Sequence, residues 1–277
     1  MVPFDFTYHQ PSSIQEAIQL FQTLQQQGKK TMYYAGGTEI ITLSRLNLVF
    51  TEAVIDIKGI PECRTLRFDK NYLVLGAALS LTTIEEANVF PLLSKAASEV
   101  ADRTARNQIT LGGNICGQIF YREAVLPLLL TDSDVIIAGK DGLKQLPIQQ
   151  IFQKQMRLHP GEFLVQIMTE QTYLSLPYRS IKKRKQWEVG YPLVTVAALK
   201  TNEQIRVAFS GVCPFPFRSQ TVEERLNDRQ LPLESRINEA LHHLPRPILD
   251  DIEGSAEYRL FVLKHTLFDI ITELEGE

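Results

Sequence analysis

Cysteine is scarce in this 277-residue sequence, and its three copies, Cys63, Cys116 and Cys213, are odd in number and far apart. That excludes a disulfide framework and leaves no CxxC metal motif. Cys116 reads as a small buried hydrophobe rather than a nucleophile. An excess of one charge is lacking too: 29 Lys and Arg against 32 Asp and Glu leave a net charge of −3. No global basic field therefore exists to attract nucleic acid or an anionic membrane. No apolar run approaches bilayer length, and MVPFDFTYHQ lacks a charged-then-apolar signal region, so the expected location is the cytoplasm. The one basic cluster, Lys182 to Lys185, reads as a solvated turn between strands. Repeats are absent, and only Gln22 to Gln27 is glutamine-rich.

What is present is apolar residue in quantity, 44% of the chain, enough for one large domain or two moderate ones. Ser13 and Glu16 form a capping box, and Ile14, Ala17, Ile18, Phe21 and Leu24 recur at helical spacing, predicting a helix to about Gly28. Strands are predicted over residues 31–36, 53–58 and 72–79. A short helix capped by Thr82 and Glu85, a longer one over 91–103 and a third over 122–130 follow, then strands over 134–139 and 162–167. In the second half a strand from Tyr178 precedes strands over 191–200 and 205–212, a Pro/Phe-rich turn CPFPFRS, and two closing helices, one from about Thr221 and one over 256–274. Three strands followed by helices fit a small α+β unit with helices on one face of an antiparallel sheet. The boundary between the halves falls near residues 170–177.

Two glycine pairs punctuate the first half, Gly36-Gly37 in YYAGGTEI and Gly112-Gly113 in NQITLGGNI. Each is expected to end a β-like run and to offer bare backbone N–H groups to an anion. The helical stretch over 38–46 adds a helix N-terminus beside the first pair. Together they point to one phosphorylated cofactor held between two loops. GGTEI has no Walker lysine and neither pair has GxGxxG spacing, so backbone dipoles must hold the diphosphate.

AGGTEI, RNQITLGGNI, LHPGEFLVQI, SGVCPFPFRS and LDDIEGSAEYR, in that order along almost the whole chain, together resemble the FAD-binding (medium) subunit of the xanthine dehydrogenase family of molybdenum hydroxylases. The resemblance implies an α+β fold. A two-part FAD-binding domain of the vanillyl-alcohol-oxidase-like (PCMH) type would span residues 1–173, and a small α+β C-terminal domain of the CO dehydrogenase flavoprotein type 174–277. It assigns Tyr33, Tyr34, Ala35, Gly36, Gly37, Thr38, Glu39 and Ile40 to the FAD pyrophosphate, and Thr110, Gly112, Gly113 and Asn114 to its other side. Val100 and Leu164 fall where apolar flavin or adenine contacts are expected. After GGN, Glu123 stands where the family carries a cofactor-contacting Asp. His9, His159, His242, His243 and His265 all lie outside the glycine loops, so the FAD is expected to be noncovalent.

The same resemblance implies a multi-subunit xanthine dehydrogenase. A molybdopterin-binding large subunit would oxidise hypoxanthine or xanthine, [2Fe-2S] clusters in a small subunit would carry electrons to FAD on this chain, and NAD+ would be the acceptor. Three isolated cysteines cannot hold a four-cysteine cluster, which places the clusters on a partner. The chain is expected to be an oxidoreductase subunit inactive on purine alone, with no metal and no catalytic acid or base of its own, in a complex that dimerises. Two alternatives stand beside this: the FAD subunit of another molybdenum hydroxylase, such as carbon monoxide dehydrogenase, and a flavin-free, non-catalytic homologue, for which the altered segment after GGN is the reason.

Overall fold

The computed structural model of the chain describes residues 2–185, 190–202 and 204–276. They pack as two units. The first holds the chain up to Ile84 together with Arg103–Ile119 and Ser133–Gln171, and the second holds Glu85–Asp102, Phe120–Asp132 and everything from Thr172. Among the described residues no helix is long and apolar enough to cross a membrane.

The chain opens with β1 (Thr7–His9) and α1 (Ile14–Gln26). α1 begins where its capping residues place it: Ser13 Oγ accepts from the Glu16 N–H at 3.2 Å, and the Glu16 carboxylate accepts from the Ser12 N–H at 2.7 Å. Its Ala17, Ile18, Phe21 and Leu24 are buried in the core. Ser13→Ala is expected to remove about 1 kcal/mol of stability, read as a lower urea midpoint at unchanged slope. β2 (Thr31–Tyr34), α2 (Thr38–Arg45) and β3 (Ala53–Asp56) follow as one crossover unit. β3 pairs in parallel with both β1 and β2, giving a sheet in the order β1-β3-β2.

β4 (Leu66–Asp69) and β5 (Tyr72–Gly76) pair antiparallel and lead into α3 (Leu81–Ala87), α4 (Pro91–Ser98), α5 (Arg103–Arg106), α6 (Leu111–Cys116) and α7 (Val125–Leu130). Next come β6 (Asp134–Gly139), β7 (Gly142–Pro147), α8 (Ile148–Ile151), β8 (Phe152–Gln153), β9 (Gln155–Met156) and β10 (Phe163–Glu170). β10 is the central strand of an antiparallel sheet ordered β4-β5-β10-β6-β7, with buried Ile167 between Leu75 and Val135. The helix expected over 91–103 stops at Ser98, because Ala101 takes a left-handed φ of 48° that cannot continue a right-handed helix. The helix expected from Arg122 starts at Val125. α3 is capped by Ser80, whose Oγ accepts from the Thr83 N–H at 3.1 Å, and Thr82 lies inside it.

The second unit is built on the antiparallel sheet β11 (Tyr178–Lys183), β12 (Val194–Thr201), β13 (Gln204–Cys213) and β14 (Phe215–Arg218), in that order. CPFPFRS is thus a fourth strand rather than a turn, with Phe215 and Phe217 buried. Three helices follow, not two: α9 (Gln220–Leu226), α10 (Leu233–His242) and α11 (Ala256–Gly276). β12 is buried on both faces. Val194, Val196 and Ala198 join the core made with α9, α10 and α11, while Thr195, Ala197 and Leu199 are equally buried in a sheet that α4 and α7 also pack against.

Several charged side chains of this unit are paired. Arg206 and Arg218 donate to the C-terminal carbonyls of α7, Leu130 O at 2.7 Å and Leu129 O at 2.9 Å, and both hold the Asp132 carboxylate. They satisfy acceptors a helix end leaves open. Arg259, fully buried, donates to Leu193 O at 2.5 Å and Gly211 O at 2.7 Å and pairs with Asp251. Burial would raise the Asp251 pKa, but the Glu253 N–H and Arg259 hold it below the usual carboxylate range. The expected solvated basic turn is corrected: Lys182 lies in β11 with its side chain 2% exposed, 2.6 Å from the Glu123 carboxylate, and both Lys182 and Arg184 donate to Glu99 O.

Candidate functional site

The first glycine pair closes β2 and opens α2. Gly37 is the N-cap of α2 at a left-handed φ of 72°, which glycine adopts freely, and it brings no side chain to cap the helix. The N–H groups of Gly36, Gly37, Thr38, Glu39 and Ile40 consequently find no acceptor among the described residues, and the Thr38 hydroxyl is not engaged by them either. An uncapped helix N-terminus with a row of open donors is the arrangement that binds phosphate.

Successive β2 residues point to opposite faces. Tyr33 packs its ring against Phe21 at 5.2 Å and Phe163 at 4.4 Å and donates its hydroxyl to Gly161 O at 3.2 Å, and burial pushes its pKa up. It supports the loop from within the core. Tyr34 lies against Gly37, where a Cβ would fall 2.1 Å from its hydroxyl oxygen, and the Lys58 ammonium sits 4.8 Å from the centre of its ring.

Lys58 is a residue the sequence reading missed. Its Nζ donates to Ala35 O at 2.5 Å and to the buried Asp56 carboxylate at 2.6 Å. The same carboxylate accepts from the Tyr8 hydroxyl at 2.5 Å, a bond that, helped by burial, pushes the Tyr8 pKa up to about 12. A lysine therefore stands beside the glycine loop although the loop's own sequence has none. The signal was the parallel pairing of two strand ends, which sets Tyr34 opposite Asp56.

The second glycine pair does not follow a strand. Thr110 bridges to Ser80 and caps α6, its Oγ1 accepting from the Gly113 N–H at 3.1 Å, so both glycines lie in the first helical turn. The Gly112 N–H donates to Ala77 O and the Asn114 N–H to Thr110 O, each at 2.8 Å. Bare amides are therefore corrected for this pair. Gly112 is glycine because a Cβ would come within 2.7 Å of Ala77 Cβ. Gly113 is exposed and Asn114 partly exposed. Cys116, expected to be buried, is also partly exposed.

The fold brings these two loops together. A Cβ on Gly36 would fall 1.7 Å from the Gln108 carbonyl oxygen. Glu39, in the first turn of α2, accepts from the Gln118 N–H at 2.5 Å and the Ile119 N–H at 3.0 Å, just beyond α6. Its carboxylate is a strap between the loops, which leaves its amide as the group open to a ligand. Leu164 in β10 is 3% exposed and belongs to this first unit. Val100 and Glu123 are buried in the second unit, where the Glu123 carboxylate is compensated by Lys182.

Residues 4–169 match the family model described as the FAD binding domain in molybdopterin dehydrogenase, and residues 179–274 match the CO dehydrogenase flavoprotein C-terminal domain. The chain is 27% identical over 272 residues to the carbon monoxide dehydrogenase medium chain of Hydrogenophaga pseudoflava, covering 94% of this chain and 93% of that one. It is 23% identical over 297 residues to the xanthine dehydrogenase FAD-binding subunit of Escherichia coli O157:H7, covering 98% and 96%. Among solved structures it is similar in fold to a chain of the carbon monoxide dehydrogenase from Hydrogenophaga pseudoflava that lacks the Mo-pyranopterin moiety of its cofactor. The TM-score is 0.88 at 22% identity, over 100% of this chain and 99% of that one.

Proposed function

Because this chain belongs to the family of FAD-binding domains in molybdopterin dehydrogenases, we propose that the α2 N-terminus and the loop at α6 are two jaws closed on the FAD pyrophosphate. The observation that carries this is the row of unpartnered N–H groups from Gly36 to Ile40. These donors and the Thr38 hydroxyl supply the positive potential that a diphosphate requires; the Lys58 ammonium, paired with Asp56, fixes the loop through Ala35 O. Thr110, Gly113 and Asn114 line the second jaw, and Glu39 fixes its distance from the first. Leu164, in the same unit as the two jaws, is the proposed apolar contact of the ring systems. FAD, when bound, supplies electron exchange in one- or two-electron units; the chain supplies binding and orientation.

The chain is then the medium, FAD-carrying subunit of a molybdenum hydroxylase, working with a molybdopterin-bearing large subunit and an iron–sulfur small subunit. The finer reading is a xanthine dehydrogenase with a purine as the large subunit's substrate and NAD+ as acceptor, in an assembly that doubles. The resemblance of the five sequence segments supports it.

The purified chain is expected to show the absorbance of oxidised flavin and to release FAD on denaturation. Equilibrium dialysis should find FAD and ADP competing for one site and riboflavin at least about tenfold weaker, each tenfold being about 1.4 kcal/mol. A colourless protein that takes up no added FAD overturns the reading. Xanthine-dependent NAD+ reduction should appear only on co-expression with both partner subunits; an assembly that oxidises carbon monoxide but not xanthine removes the purine reading and leaves the flavin reading intact.

A further inference from the structure

The turn that carries Lys58 is tied to the first strand of the chain as well as to the first glycine loop. Asp56 ends β3 fully buried, and both of its carboxylate oxygens are engaged. One accepts from the Lys58 N–H at 2.9 Å and so caps the short turn Ile57–Gly59, while the other accepts from the Lys58 ammonium at 2.6 Å and from the Tyr8 hydroxyl at 2.5 Å. Tyr8 belongs to β1, where it lies opposite Val54 of β3. The segment after β1 meets the same turn again, since a Cβ on Gly59 would fall 2.5 Å from Pro11 O. Lys58 in its turn holds the glycine loop at two points: its ammonium donates to Ala35 O at 2.5 Å and sits 4.8 Å from the centre of the Tyr34 ring. Tyr34 lies against Gly37, the N-cap of α2. Every link of this chain of contacts is in the first unit.

The geometry points to Tyr8, Asp56 and Lys58 as positioning residues for the diphosphate: a relay from the N-terminal strand sets where the open amides of Gly36 to Ile40 aim, without touching the ligand. An ammonium bonded to a buried carboxylate keeps little net field for a nearby anion. Two of its three protons are already taken, by Ala35 O and Asp56. Its effect is therefore on geometry. Hydrogen bonds weaken steeply with misalignment, so a loop released from Lys58 offers the phosphates a poorer row of donors. Riboflavin has no diphosphate to meet that row and should not sense the change. The inference rests on the flavin reading above and deepens it by naming what holds the first jaw in place.

Equilibrium dialysis with FAD, ADP and riboflavin tests this on two variants that leave the net charge unchanged. Tyr8→Phe removes one hydroxyl and keeps the ring; Asp56→Asn combined with Lys58→Met removes both charges of the pair together. FAD and ADP affinity should fall by one common factor, about threefold in the first variant and about tenfold in the second, with riboflavin affinity as in the unaltered chain. Added salt should weaken FAD binding equally steeply in the unaltered chain and the double variant. A shallower salt dependence in the double variant shows that the ammonium meets phosphate directly, and it overturns the proposal. Riboflavin weakening along with FAD, the mark of general damage to the unit, overturns it too, as does unchanged FAD affinity in both variants. A double variant that does not fold leaves Tyr8→Phe to decide by the same ligand comparison. An unaltered chain that binds none of the three ligands removes the flavin reading and this proposal with it, whereas failure of the proposal alone leaves FAD binding by the unaltered chain intact.

Discussion

Replacing Gly36 with alanine is expected to disrupt both the fold of the first unit and its capacity for flavin. The added methyl would lie 1.7 Å from the Gln108 carbonyl oxygen and 2.8 Å from its carbonyl carbon. Both atoms are backbone, so no side-chain rotation relieves the overlap, and the two loops must separate or α2 must shift. Overpacking of this kind costs about 1–3 kcal/mol. Because the displaced segment carries the open amides, flavin affinity should fall with it, by on the order of a hundredfold for a misalignment worth about 3 kcal/mol. Gly190→Ala is the control, since a Cβ there meets nothing within 4 Å. Urea unfolding and FAD dialysis on both variants decide the matter. A Gly36→Ala protein with normal stability and normal FAD affinity would show that the loops do not meet as described.

Lys182→Met is expected to cost about 3–5 kcal/mol, the range for removing one partner of a buried ion pair. Glu123 is 2% exposed and would keep its carboxyl in an apolar interior with its 2.6 Å partner gone. Burial already pushes the Glu123 pKa up against the pull of Lys182 and Arg184, and losing Lys182 pushes it further in the same direction. A carboxyl raised in the folded state binds more protons there than in the unfolded chain, so stability falls as pH rises above the ordinary Glu range. The variant's deficit should therefore shrink as the pH is lowered toward about 4.5. A companion Glu123→Gln change should recover much of the loss at neutral pH. Urea midpoints across that pH range that show no dependence specific to Lys182→Met would refute the buried pair.

How much of this was legible in the sequence depended on where each element sits. α1 and β6 were, because one has its cap and apolar stripe in plain order and the other is a buried run, DVIIAG. The strands that escaped, β1, β4, β7, β8, β9 and β14, are all at sheet edges. An edge strand has one unpaired side and tolerates proline and charge, which is why LRFD is only four residues long and mostly exposed, GLKQLP shows no apolar alternation, and the prolines of CPFPFRS looked like a turn. α10 was missed for a related reason: LESRINEALH buries only Arg236, Ile237 and Ala240. At the site, the Gly36-Gly37 turn and the helix after it were readable from glycine chemistry alone. The Gly112 amide, Lys58 and the Glu39 strap were not, since each owes its role to a partner distant in sequence: Ala77, Ala35, and Gln118 with Ile119.

All six residues of α7, Val125 to Leu130, are buried, yet the strands they pack against, β12, β13 and β14, are encoded well after it. A ribosome adding about 5–20 residues per second leaves the roughly 90 residues from Leu130 to Arg218 unmade for on the order of ten seconds. During that interval α4 is the packing partner of the apolar hexamer already made, and the hexamer's face toward the sheet stays uncovered on the nascent chain. It is the segment on which a chaperone should first be found by ribosome-bound cross-linking, and a chain stalled after β10 should aggregate through it.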